Sequence, residues 1–271
     1  MLSIREASSL SLALGSPLML DSLRQEAMRN LSEHDLIHIW ETSLRQHPID
    51  QALTMLRAAN PDLRWDELET LSIGQRDARL MKVWERTFGP ELASYAECPQ
   101  CREQLEFTLN TTQLYADLPV WVAGATYQWM DDRYVVEFRL PNSRDLAALV
   151  GCAQLEHARQ TLVNRCIVAA LQRGEPIAPS ALPDPIIGDI AARMTKYDPL
   201  AEVMLDLTCP ACETGWQALF DISAFLWSEL AVTAKRLLRE IHTLARAYGW
   251  READILALSA TRRQCYLELV S

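Results

Sequence analysis

The chain has 271 residues, 49% hydrophobic and 23% charged, a composition typical of a folded globular protein and not of a disordered or low-complexity chain. Its 26 basic and 36 acidic residues give a formal net charge of −10, which disfavours nonspecific binding to DNA or RNA. The apolar run at residues 10–20 is interrupted by Gly15, Ser16 and Pro17 and follows only a weakly basic start. We therefore expect no targeting segment, no membrane span and a soluble cytoplasmic protein.

Helical patterns dominate the first third of the chain. Residues 1–31 show only weak periodicity and are interpreted as an arm. Residues 32–96 carry apolar stripes at helical spacing and are predicted to form an N-terminal helical domain. Within it, Ser32 and Ser72 begin helices with capping-box patterns, and Gly89 ends the last of these helices. This domain leads directly into a pair of cysteines.

The cysteines carry the clearest chemical signal of the sequence. Four of the seven form two Cys-Pro-x-Cys pairs, Cys98 with Cys101 and Cys209 with Cys212. Both sulfurs of such a pair can reach one metal ion, and two pairs complete a tetrahedral zinc site that has no open position for water. The sequence therefore predicts one structural zinc ion bound by Cys98, Cys101, Cys209 and Cys212. The odd total of seven argues against a disulfide framework.

The segments beside the two pairs predict a zinc ribbon with a long insertion. Apolar and polar residues alternate with a period of two, which is typical of short strands, at residues 105–109, 203–207 and 216–222. We assign the two halves of the ribbon to residues 97–118 and 203–223. The 107 residues between Cys101 and Cys209 far exceed the roughly 15–20 of a compact ribbon.

Two other interpretations of the cysteine pairs stay open at this point. Each pair can be a redox dithiol, since Cys-x-x-Cys motifs occur in disulfide oxidoreductases, or the two pairs can lie apart. Because each pair leads into a strand and does not open a helix, shared zinc is favoured. Cys166 is predicted to pack in a core with Leu155, Leu162 and Leu171 on one helical face, and Cys152 and Cys265 follow no pattern.

The insertion, residues 119–202, is predicted to be a hairpin-and-helix subdomain. It opens with the sequence at 118–121, and two alternating segments, 127–130 and 133–140, flank Asp131 and Asp132 as a hairpin. A strong helix is predicted at 155–171 and a short one at 186–196, within a proline-rich loop.

The C-terminal residues 224–271 are predicted to be helical. Residues 225–248 form the longest amphipathic helix, which Gly249 ends. The stretch 235–263 holds seven basic and three acidic residues. A solvated helix face explains this charge, docking on an acidic protein surface is the second interpretation, and nucleic-acid binding is the third.

No combination of residues predicts catalysis. The sequence has no glycine-rich phosphate loop, no Gly-x-Ser-x-Gly elbow and no His-Glu-x-x-His motif. His34 and His38 lie one helical turn apart, but no third ligand accompanies them, so they are interpreted as surface residues. The eight tryptophans exceed what a chain of this size buries easily, which favours interfaces with other proteins.

Three segments together resemble a known family: residues 71–80, the two Cys-Pro-x-Cys pairs, and residues 248–259. Across roughly residues 35–271 the chain resembles proteins of contractile phage tails and phage-like injection systems, often described as similar to T-even phage baseplate hub or hub-assembly proteins. The resemblance implies a non-enzymatic structural or assembly role. Arg102 and Glu213 follow the pairs where glycine is frequent, which predicts atypical turns with intact metal ligation.

The sequence thus predicts a helix-rich α+β protein, in which N- and C-terminal helical parts flank a zinc ribbon with an inserted hairpin-plus-helix subdomain. We expect a zinc-stabilised structural or chaperone-like baseplate protein that binds other baseplate, spike or tube proteins. We expect no membrane partner and no small-molecule substrate, and nucleic acid is disfavoured as a partner. The protein would be cytoplasmic during assembly and able to enter the particle. The alternatives are a zinc-ribbon adaptor in nucleic-acid metabolism and, third, a dithiol oxidoreductase.

Overall fold

The computed structural model describes residues 28–114 and 124–270 as a helix-rich α+β fold. The α-helices are α1 (Glu33–Ser43), α2 (Pro48–Ala59), α3 (Trp65–Glu69), α4 (Ile73–Phe88), α5 (Thr111–Leu114), α6 (Ser143–Ala147), α7 (Leu155–Cys166), α8 (Asp184–Tyr197), α9 (Ile222–Tyr248), α10 (Glu252–Leu256) and α11 (Ala260–Val270). The strands are β1 (Glu91–Glu97), β2 (Gln104–Asn110), β3 (Thr126–Met130), β4 (Tyr134–Arg139), β5 (Ile167–Gln172), β6 (Glu175–Pro176), β7 (Val203–Thr208) and β8 (Gly215–Phe220). Most of the predicted arm, residues 1–27, and the predicted start of the insertion at 118–121 lie outside the described residues.

Helices α1 to α4 pack with the first half of α9 around the largest core. The capping boxes predicted at Ser32 and Ser72 are confirmed, with Asp35 and Gln75 as the reciprocal partners. The apolar faces of these helices meet in side chains with almost no exposure, such as Leu56, Leu80 and Leu226. In the described part of the chain, no helix combines the length and hydropathy that a bilayer crossing needs.

The helical prediction for residues 32–96 is wrong at its end. Residues 91–97 form strand β1, which pairs antiparallel with β2, and Glu97 lies opposite Gln104. Leu92 and Ser94 are buried on one face of β1, whereas Ala93 and Tyr95 are exposed on the other. Because the buried face holds a polar serine and the exposed face an aromatic tyrosine, the sequence shows no alternation of apolar and polar residues there.

The inserted segment folds around a four-stranded antiparallel sheet in the order β3-β4-β5-β6. The predicted hairpin is confirmed as β3 and β4, and the predicted apolar face is buried at Val136 and Phe138. The helix predicted at 155–171 is wrong in its last five residues, because α7 ends at Cys166 and the chain continues as β5. β5 pairs with β4, and Ile167 and Val168 favour a strand because they are β-branched.

The second half of α9 packs with α10, α11 and α1 in a separate cluster. α9 ends at Gly249, whose left-handed conformation (φ 67°) is the helix terminus predicted from the sequence. Arg263, with 4% of its side chain exposed, binds Glu33 of α1 and Glu240 of α9. This ion-pair network joins the C-terminal helix to the first described helix.

Candidate metal centre

The Cys98–Cys101 pair lies in the turn between β1 and β2, at the tip of the first hairpin. The backbone N–H of Cys98 donates to the carbonyl of Glu103 (2.9 Å), and that of Arg102 donates to the carbonyl of Cys98 (2.9 Å). These two bonds close a tight turn around the sulfurs. The strands thus position the pair, and the turn directs both side chains to one side.

The Cys209–Cys212 pair occupies the same position at the tip of the second hairpin, between β7 and β8. The N–H of Cys209 donates to the carbonyl of Thr214 (3.0 Å), and the N–H of Glu213 donates to the carbonyl of Cys209 (2.9 Å). Arg102 and Glu213 are both left-handed, with φ of 64° and 58°. The two turns therefore share one backbone conformation, and they adopt it without the glycine that usually relieves its strain.

The two hairpin tips face each other, and this brings all four sulfurs together. The Sγ atoms of Cys98 and Cys212 are 3.6 Å apart, and those of Cys101 and Cys209 are 3.5 Å apart. All four lie within 4.8 Å of one another. Four sulfurs at roughly 2.3 Å from one zinc ion stand about 3.8 Å apart in a regular tetrahedron. The separations fit that geometry, and they are far longer than the roughly 2.05 Å of a disulfide bond.

The pKa values of two sulfurs in the cluster shift in opposite directions. Hydrogen bonds with the hydroxyl and then the backbone of Thr214 lower the pKa of Cys212 to about 6. The backbone N–H of Glu103 favours the thiolate of Cys101, but hydrogen bonds with the neighbouring thiols and desolvation outweigh it and raise the pKa of Cys101 to about 12. Four thiolates at these distances repel one another, and a cation among them removes that cost. A divalent metal ion would therefore stabilise the four sulfurs in their deprotonated, thiolate form.

The bases of the hairpins are fixed to the main core, while their tips project from it. Leu92 of β1 and Phe220 of β8 are buried in that core, and Leu109 and Leu205 pack against it. Nearer the cysteines the inward side chains are only partly buried, as at Leu105 and Trp216. The hairpins thus have little apolar packing of their own where the four sulfurs meet.

The remaining candidate residues do not join this cluster. Cys152 and Cys265 are free thiols outside it, and within residues 28–114 and 124–270 the four-cysteine group is the one set of three or more metal-binding side chains. Cys166 is buried as predicted, and burial, then the nearby Asp145 carboxylate, raises the pKa of its thiol to about 12. Leu155 does not share the core of Cys166, because the Leu155 side chain is 87% exposed.

The interpretation in which the two cysteine pairs lie apart is wrong, because their four sulfurs lie within 4.8 Å of one another.

A buried carboxylate that the sequence did not reveal joins the inserted segment to helix α4. The N–H of Gly74, in the first turn of α4, donates to Oδ2 of Asp198 at 2.9 Å. Asp198 is 1% exposed, and burial raises the pKa of its carboxyl group. A Cβ atom on Gly74 would lie 2.0 Å from Oδ1 of Asp198. Position 74 therefore accepts only glycine while Asp198 keeps its place.

Comparison with protein families gives the identity of the chain. The family described as T4 bacteriophage base plate protein matches residues 32–227, well over half of the sequence. The chain belongs to this family. The match includes residues 71–80 and both cysteine pairs of this baseplate protein, whereas residues 248–259 lie beyond it. Searches of curated proteins and of solved structures gave no match.

Membership of this family supports a structural role in a phage baseplate, with contacts to other baseplate components. The matched region begins at α1 and ends within α9, so it contains both hairpins and the whole inserted sheet. The four-cysteine cluster, which can hold a metal ion, lies within the matched region.

Proposed function

We propose that this baseplate protein is a non-enzymatic structural or assembly component in which one structural zinc ion ties two distant hairpins together. Cys98, Cys101, Cys209 and Cys212 would each supply one thiolate. The observation that carries the proposal is the convergence of four sulfurs within 4.8 Å from two hairpin tips. Zinc prefers such a tetrahedral set of thiolates, and a site with four protein ligands has no free position for a substrate.

The two hairpins and the metal would together form a zinc ribbon. The matching turns, one at Arg102 and one at Glu213, support this interpretation, because both present a Cys-Pro-x-Cys pair in the same conformation. We further propose five units. Residues 97–118 and 203–223 are the ribbon halves, residues 32–96 are the N-terminal helical part, residues 119–202 are the insertion, and residues 224–271 are the C-terminal helices. Six of the seven residues of strand β1 precede position 97, and we place them with the ribbon because β1 pairs with β2.

The proposed partners are other baseplate, spike or tube proteins. Family membership supports such contacts, and the net charge of −10 makes nucleic acid a poor partner for the whole surface. Among the tryptophans of the described residues, Trp65 is the one with an exposed side chain, at 41% exposure. Tryptophan is enriched where proteins bind each other. We place the protein in the cytoplasm during assembly and in the particle afterwards.

The proposed function can be tested by affinity purification from cells that produce the complete particle. We expect the tagged protein to recover baseplate, spike or tube proteins, and purified particles to contain it if it is a permanent component. A control chain of similar size and charge should recover none of them. Tight, salt-sensitive binding to duplex DNA without any protein partner would favour the nucleic-acid adaptor instead.

A further inference from the structure

One face of helix α9 is open to solvent along nearly its whole length. The exposed residues on this face follow one another at spacings of three and four: Ala224, Ser228, Val232, Lys235, Arg239, His242 and Arg246. Such spacing places all of them on a single line along the helix. The buried residues Leu230, Leu237 and Leu244 occupy the opposite face.

The second half of this face is a basic stripe, which we define as Lys235, Arg239, His242 and Arg246. Lys235, Arg239 and Arg246 have no ion-pair partner within the described residues. The acidic side chain nearest in sequence, Glu240, lies to one side and binds Arg263 at 2.7 Å. Glu240 also lies 3.8 Å from Arg236, which is outside the stripe.

The stripe is unusual in a chain that carries ten more acidic than basic residues. Lys235 and Arg239 lie one helical turn apart and repel each other, and the favourable effect of the helix dipole reaches only the last turn, where Arg246 lies. A line of unpaired cations over about 17 Å of helix therefore gains little from the fold itself. It presents a positive surface of defined length to a partner.

We propose that the basic stripe docks on an acidic surface of another protein of the baseplate. This inference rests on the proposed function, which supplies the class of partner. Charge complementarity identifies the partner as acidic, with carboxylates along one ridge or groove. A protein is favoured over nucleic acid, because a duplex carries one negative charge per roughly 1.7 Å and would also meet the acidic remainder of this chain.

Zero-length carbodiimide cross-linking of the complexes recovered by affinity purification tests the contact directly, since it joins an amine to a carboxylate in contact with it. The chain has only three lysines, so Lys235 reports on the stripe and the exposed Lys196 serves as an internal control. We expect peptides that join Lys235 to Asp or Glu of an identified baseplate protein. A Lys235 cross-link to another copy of this chain would assign a different occupant and overturn the proposal.

Charge reversal supplies the second test. The variant Lys235→Glu/Arg239→Glu/Arg246→Glu should fold, since all three side chains are exposed, and zinc content and circular dichroism verify this. We expect it to bind the cross-linked baseplate protein at least about tenfold more weakly. The matched control Arg45→Glu/Arg159→Glu/Lys196→Glu changes the net charge equally on other exposed positions and should bind normally.

The outcomes separate this inference from the proposed function. If both triple variants recover the same baseplate proteins as the unaltered chain, the stripe is not a docking surface, while the baseplate function stands. If the unaltered chain recovers no baseplate protein, the proposed function fails and the inference fails with it. Binding of a short DNA duplex that only the stripe reversal abolishes would assign the surface to nucleic acid and overturn the proposal.

Discussion

Replacing Cys209 with serine, or removing the metal with a chelator, is expected to separate the two hairpin tips while the helices stay folded. Serine keeps the size of the side chain but supplies no thiolate, so the variant leaves three ligands where zinc needs four. Cys209 is 1% exposed, and its sulfur faces that of Cys101 at 3.5 Å. The loss therefore falls on the contact between the hairpins.

The expected effect is large because the metal joins segments that are far apart in sequence. A structural zinc site contributes apparent binding energy of about 10–16 kcal/mol in small peptides, which rivals the net stability of about 5–15 kcal/mol of a typical domain. Losing only about 3 kcal/mol already raises the open fraction of this region roughly 100-fold. The helices keep their own cores, whereas the inward side chains near the hairpin tips are only partly buried.

Limited proteolysis with circular dichroism measures this separation. Metal-free protein and the Cys209→Ser variant should be cut first at residues 98–114 and 200–215, with little loss of helical signal. Cys152→Ser is the matched control, because that thiol is free and lies outside the cluster. Metal-free protein that resists cleavage there and melts at the same temperature as the zinc form would show that the ribbon does not tie the chain together.

Gly74→Ala is expected to destabilise the protein by about 2–4 kcal/mol, although it adds a single methyl group. The new Cβ would lie 2.0 Å from Oδ1 and 2.8 Å from Cγ of Asp198, and 3.2 Å from the backbone nitrogen of Ala201. Asp198 must then move, and its carboxylate loses the N–H of residue 74 in a buried site. Chemical denaturation followed by circular dichroism gives the change in the free energy of unfolding.

Gly188→Ala provides the control for this substitution. Gly188 lies within α8, and a Cβ there meets no atom within 4 Å. Alanine is the better helix former, so this variant should gain up to about 1 kcal/mol. If Gly74→Ala instead behaves like Gly188→Ala, the carboxylate of Asp198 does not occupy the position against α4. Adding Asp198→Ala to Gly74→Ala should remove most of the clash, so that the two substitutions are not additive.

The features that the sequence predicted correctly are those written in local patterns. The capping boxes at Ser32 and Ser72 and the terminal Gly249 set helix ends through contacts between residues close in sequence. The two cysteine pairs were found because a metal site needs a fixed spacing within each pair, whatever the distance between pairs. Two motifs of the same Cys-Pro-x-Cys pattern therefore predicted a shared site although 107 residues separate them.

The features that the sequence did not reveal depend on contacts between distant residues. Residues 167–172 carry helix-compatible alanine and leucine, and pairing with the more distant β4 makes them a strand. The contact of Gly74 with Asp198 spans 124 positions, and neither residue shows by itself that it has a partner. Strand β1 forms by pairing with β2, and the sequence did not show it because its buried face carries a serine and its exposed face a tyrosine.

The central claim is that one zinc ion, bound by four cysteines, ties the two hairpins of this baseplate protein together. Elemental analysis combined with X-ray absorption spectroscopy of protein purified without chelator tests it most directly. We expect one zinc ion per chain, surrounded by four sulfur atoms at roughly 2.3 Å, with only Cys152, Cys166 and Cys265 left outside the site. Protein that contains no metal when purified without chelator, and whose seven cysteines all react with a thiol reagent once it is unfolded, would contradict it.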